Sequence, residues 1–130
     1  MCLIVFSISK KKNFKVPGSR FSINLMANRD EYYERPTSSM DWWSNKPILA
    51  GRDEQAGGTW LGVSKDGRFA AITNYKEEDT LTKYELSRGK LITDFLEEKG
   101  LSAREYLASL KGDSFSGFNL LVSDFEGVHS

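Results

Sequence analysis

Apolar positions change period several times along the chain. In "MCLIVFSISK", Leu3 to Phe6 are continuously apolar, which predicts a strand covered on both faces. In "RFSINLMANRD" the pattern alternates, with Phe21, Ile23, Leu25 and Ala27 on one face and Ser22, Asn24, Met26 and Asn28 on the other. The polar stretch between them, with Lys10-Lys11-Lys12 and the turn signal Pro17-Gly18, reads as a solvated loop. Two strands joined this way predict a hairpin that returns Asn28 and Arg29 towards Cys2. The next segment, "YYERPTSSMDWWSNKP", shows no clear period and holds two prolines, so irregular structure is expected. "GGTWLGVSKDGRFAAITNY" then reads as strand, turn, strand, with Gly67 free to take the positive φ of the turn.

After a charged stretch the period becomes helical. Leu91, Ile92, Phe95 and Leu96 repeat at helix spacing, and Gly100 stands where a C′ residue belongs. A second helix is announced by Ser102 with Glu105 three residues on, a capping-box pattern, and closes at Gly112. "GFNLLVSDFEG" returns to strand and turn, and Val128-His129-Ser130 reads as the start of a return strand. Strands, two helices and a strand again predict an α+β layered fold. Residues 1–130 are expected to form a single domain, and the unfinished last hairpin suggests the N-terminal part of a longer one.

Composition narrows the function classes. Eighteen basic and eighteen acidic residues give no net charge, which argues against a dedicated nucleic-acid binder. The single cysteine fits a reducing compartment and excludes an internal disulfide framework. No signal peptide and no stretch of membrane-spanning length is evident, so a cytoplasmic protein without stable membrane insertion is expected. The oligomeric state is not written in the sequence.

Four features bear on chemistry. Cys2 follows the initiator Met and is either a buried strand residue or, once Met1 is removed, an N-terminal nucleophile with its own α-amine as base. Asn28-Arg29-Asp30-Glu31 caps the second strand; Arg29 either activates a nearby thiol and grips a substrate, or pairs on the surface with Glu31, Glu34 and Arg35 as neighbours. Gly57-Gly58-Thr59-Trp60 lacks phosphate-loop spacing; its glycines suit close backbone approach, with Trp60 over the core or a pocket floor. Asn74, near a strand end, either donates to an oxyanion or satisfies a turn. The carboxylates Asp30, Glu31 and Asp41 show no metal-ligand spacing, so no metal is expected, and the lone His129 reads as a surface residue.

Taken together, "MCLIVF", "ANRDEYYERP", "GGTWLGVSKDGRFAAITNY" and "GFNLLVSD" resemble the NRDE family, also called the transport and Golgi organisation 2 family. The resemblance runs from Met1 through Asp124. That family in turn resembles the cysteine branch of the N-terminal nucleophile hydrolases, which implies a four-layer αββα sandwich, incomplete in this chain. It implies Cys2 as nucleophile on a non-peptide amide C–N bond, Arg29 beside the thiol, and Asn74 as an oxyanion donor. Those hydrolases carry an Asp three residues after the Arg; that position is Tyr32 here, and Asp30 is the adjacent carboxylate left to orient the amine. The resemblance also implies an alternative without catalysis: a binding or trafficking protein linked to Golgi organisation. In that role Trp60, Thr59 and Asn28, with Trp42 and Trp43, contact an amphipathic ligand such as haem, a lipid or an acyl-CoA; no cofactor is otherwise implied.

Overall fold

The computed structural model describes residues 2–10, 21–75, 87–111, 115–124 and 128–129. Lys11, Lys12, the Pro17-Gly18 turn, the charged stretch after Tyr75, Gly112 and the tip of the last hairpin lie outside them. The chain divides into two compact units, Met1–Asp30 and Glu31–Ser130.

The first unit is the expected hairpin. Strand β1 (Leu3–Lys10) pairs antiparallel with β2 (Phe21–Asn28), from Leu3 opposite Asn28 to Lys10 opposite Phe21. The continuous apolar run does form a strand, but it is not covered on both faces. Phe6 and Ile8 are each 45% exposed, and Leu3 and Val5 more so. A two-stranded ribbon has no second layer of its own to bury them.

The second unit is a six-stranded antiparallel sheet with two short helices. Its strands follow one another in chain order: β3 (Thr37–Trp42), β4 (Ile48–Asp53), β5 (Leu61–Ser64), β6 (Phe69–Asn74), β7 (Phe118–Ser123) and β8 (Val128–His129). Strand β3 corrects the irregular reading of "YYERPTSSMDWWSNKP". It is an edge strand with all six residues exposed and a register irregularity between Ser38 and Asp41, so no alternation marks it. Pro36 stands just before β3 and Pro47 just before β4, so neither interrupts a strand, and their carbonyls accept the N–H groups of Glu54 and Lys65. Gly67 takes φ +89° in the β5–β6 turn, as its place there requires.

Within the second unit, helix α1 (Gly89–Glu97) and helix α2 (Ala103–Ser109) form a layer against the sheet. Leu91, Ile92, Phe95 and Leu96 are buried against Ile48, Ala50, Ala70, Ile72, Leu120 and Val122. Phe95 and Tyr106 bring their rings to 5.1 Å, and the Tyr106 hydroxyl donates to the Leu91 carbonyl at 2.8 Å, tying α2 to α1. Burial keeps that phenol protonated, holding its pKa above the ordinary tyrosine range, with Asp94 and Glu98 adding to the effect. The capping box is present in full: Ser102 accepts from the Glu105 N–H, and the Glu105 carboxylate accepts from the Ser102 N–H at 2.8 Å. The Ser102 N–H and the Ser102 hydroxyl, both donating to that carboxylate, lower the carboxyl pKa of Glu105.

Gly100 is not the left-handed C′ residue expected. Helix α1 ends earlier, at an extended Glu98 with φ −66° and ψ 126°, and Gly100 has no positive φ. The reason is a side chain from elsewhere. The buried Arg68 guanidinium donates to the carbonyl of Phe95 in the last turn of the helix (3.2 Å) and to that of Leu101 beyond it (2.6 Å), so one terminal carbonyl is satisfied without a glycine cap. No helix among the described residues is long and apolar enough to cross a membrane.

Candidate functional site

Cys2, Asn28, Arg29 and Asp30 all fall at the open end of the β1–β2 hairpin. The register forces this: Leu3 pairs with Asn28, so the residues that precede one and follow the other emerge side by side. The Asn28 side chain takes part in that last rung, its Oδ1 accepting the Leu3 N–H at 2.8 Å. Two residues on, the Asp30 N–H donates to the Cys2 Sγ at 3.4 Å. The sequence expected Asp30 to act through its carboxylate; this contact to the thiol is made by its backbone N–H. Cys2 and Arg29 are half-buried, and Asn28 and Asp30 are exposed. Cys2 is a free thiol.

The other sequence-predicted residues belong to the second unit. Asn74 is the last residue of β6, exposed and opposite Phe118. Beside it, the Asn119 amide donates to the Thr73 hydroxyl at 3.2 Å, and the Tyr75 N–H donates to the Gly117 carbonyl. Thr59 is buried, and its hydroxyl donates to the Leu61 carbonyl at 3.0 Å, so that group is engaged locally. Trp60 packs against the core, in the space Gly51 leaves; a Cβ on Gly51 would lie 2.8 Å from the indole. The expected close approach is at Gly58, where a Cβ would meet the Gly89 backbone at 2.8 Å. Trp43 is partly buried, donates its indole N–H to the Ala50 carbonyl and carries the Arg52 guanidinium 5.0 Å from its ring centre. The exposed Trp42 has Lys65 at 5.4 Å.

The surface ion pair weighed for the NRDE segment exists in part. Arg35 pairs with Glu31 at 3.6 Å, but its shorter contact, 2.8 Å, is to Asp53. Asp53 also accepts the N–H groups of Gln55 and Ala56, closing the turn after β4. A depression of about 430 Å³ lies along α1 and α2, lined by Asp94, Glu97, Glu98, Leu101, Tyr106 and Ser109. Lys90 pairs with Asp94, Lys46 pairs with Glu97, and Glu98 accepts the Gly100 N–H, so these carboxylates serve the fold. None of the sequence-predicted site residues lines it. Among the described residues no group of three His, Cys, Asp or Glu side chains is placed to hold a metal ion. Arg68 carried no sequence signal, because its carbonyl partners lie 27 and 33 residues away.

Comparison with known proteins agrees with the motif order. A family model described as "Transport and Golgi organisation 2" matches residues 1–130. The Transport and Golgi organization protein 2 homologs of Bos taurus and Homo sapiens are each 38% identical over 130 residues, covering 95% of this chain and 45% of theirs. The Transport and Golgi organization protein 2 of Drosophila melanogaster is 28% identical over 103 residues, 74% of this chain and 35% of its own. The chain thus spans less than half the length of these curated relatives. With the family match running end to end and the hairpin joining the first two motifs in space, the chain belongs to the Transport and Golgi organisation 2 family.

Proposed function

We propose that this chain carries the nucleophile of a cysteine N-terminal nucleophile hydrolase acting on a non-peptide amide. The observation that supports this most is the Asp30 N–H donating to the Cys2 Sγ at 3.4 Å, at the hairpin end that also carries Arg29. On this reading Met1 is removed, and the freed α-amine of Cys2 takes the thiol proton. Sulfur attacks the amide carbonyl, a C–S bond forms and the C–N bond breaks. The leaving amine departs with a proton, leaving a thioester on Cys2. Water then cleaves the thioester, releasing a carboxylic acid and restoring the thiol. Arg29 supplies positive charge beside the sulfur, Asp30 orients the amine, and the oxyanion role implied for Asn74 follows the family resemblance. An αββα sandwich is the architecture this reading expects of the longer relatives.

The test is intact-mass spectrometry with and without an acyl p-nitroanilide. The expected result is a chain lacking Met1 that gains one acyl group and releases p-nitroaniline, with neither event in Cys2→Ser. Retained Met1, or a processed chain that neither gains an acyl group nor releases p-nitroaniline, sinks the hydrolase reading.

A second reading, an amphipathic-ligand carrier, draws on the words "Transport and Golgi" in the relatives' names and on the exposed Trp42 and Met40. It expects haem or an acyl-CoA to quench tryptophan fluorescence with saturation, and haem also to shift its own absorption band. A linear, unsaturable response would count against it.

A further inference from the structure

The Asn28 side chain holds the peptide group that joins Cys2 to the rest of the chain, and the orientation of that group helps set how Cys2 presents its amine and thiol. The Leu3 N–H belongs to the planar Cys2–Leu3 peptide, so holding that N–H orients the whole peptide plane and restricts rotation about the bond from the Cys2 Cα to its carbonyl carbon. The N–H is fixed by Asn28 Oδ1 at 2.8 Å, across the last pair of the ladder. The same three-residue stretch then takes hold of the other end of the residue, through the Asp30 N–H at 3.4 Å from Sγ. Residue 2 is gripped at two points from one strand end, by the peptide after it and by its sulfur.

We propose that Asn28 is a positioning residue for Cys2, acting through the Leu3 amide and not by touching substrate. This rests on Cys2 being the nucleophile, yet the grip itself is measurable without any reaction. The role calls for a short side chain ending in an acceptor oxygen, which Asn and Asp share and Ala lacks.

The experiment compares Asn28→Ala and Asn28→Asp with the native chain in two readouts. Amide hydrogen exchange at Leu3 is expected to accelerate about five- to tenfold in the Ala variant, the loss of one net hydrogen bond, and to return to the native rate in the Asp variant. With an acyl p-nitroanilide, the Ala variant is expected to lose kcat with KM unchanged, and the Asp variant to recover it. A raised KM at constant kcat would make Asn28 a substrate contact and overturn the proposal. Unchanged Leu3 exchange in Asn28→Ala would also overturn it. If the Ala variant loses protection throughout β1 and β2, the Asp variant decides: native exchange and kcat support the role, and departure from either overturns it. A native chain that never acylates ends the hydrolase reading while Leu3 exchange still tests the grip.

Discussion

Ile8 and Ile48 are the same residue type in the same kind of structure, an antiparallel strand, yet one is 45% exposed and the other 0%. The contrast holds for the two units as wholes. The hairpin arranges its apolar side chains on a ribbon and fixes residues by register and hydrogen bonds. The six-stranded unit sets comparable side chains under a layer of helices, where packing fixes them. Apolar content makes a strand in both places; only a second layer makes a core. Of the candidate residues, Cys2, Asn28, Arg29 and Asp30 belong to the first kind of region, where residues are held by a few directed bonds.

The largest expected effect lies in the packed region. Phe95→Ala removes a fully buried ring that touches Tyr106 and Arg68, and should cost about 3–5 kcal/mol in urea unfolding. A loss below about 1 kcal/mol would mean that the helical layer is not the core described. Next, Arg68→Met keeps the stem but strips the donors from the Phe95 and Leu101 carbonyls. A loss of about 1.5–3 kcal/mol is expected, as for hydrogen bonds to charged groups, together with faster amide exchange at Glu98; native stability would leave the helix end explained by some other contact.

One substitution made twice sharpens the comparison. Val122→Thr buries a hydroxyl at a position with no exposure and should cost about 1–3 kcal/mol. Val5→Thr changes a residue that is 51% exposed and should stay within about 0.5 kcal/mol. Equal costs would erase the distinction between the two regions. The smallest effect is electrostatic. Because the folded pKa of Glu105 is lowered, its capping contribution is complete above its unfolded pKa and fades as pH falls through the folded value. The stability difference between the native chain and Glu105→Gln should therefore narrow on acidification, and a difference independent of pH would show that the charge contributes nothing.

What the sequence revealed follows the same divide between local and distant causes. The Gly67 turn, the capping box of Ser102 and Glu105, and the helical face of Leu91 and Phe95 rest on spacings within a few residues, and all are present; the hairpin was read from the apolar period within each of its strands. Strand β3 was hidden because an exposed edge need not alternate. The end of α1 was misread because Arg68 does from afar what Gly100 was expected to do nearby. At the candidate site, the meeting of Cys2 with the Asn28-Arg29-Asp30 stretch was legible from the hairpin. The use of the Asp30 backbone and of Asn28 as a brace was not, since neither leaves a mark on composition or period.

The pairing of Leu3 with Asn28 also makes the site a measure of length. Deleting or inserting one residue within either strand would present Leu3 with a different partner and turn the downstream side chains to the opposite face. Such a lesion would leave Cys2, Asn28, Arg29 and Asp30 all intact in the gene and undo their assembly in the protein. For variants in this region, counting residues between the cysteine and the arginine would then be as informative as checking that both are there.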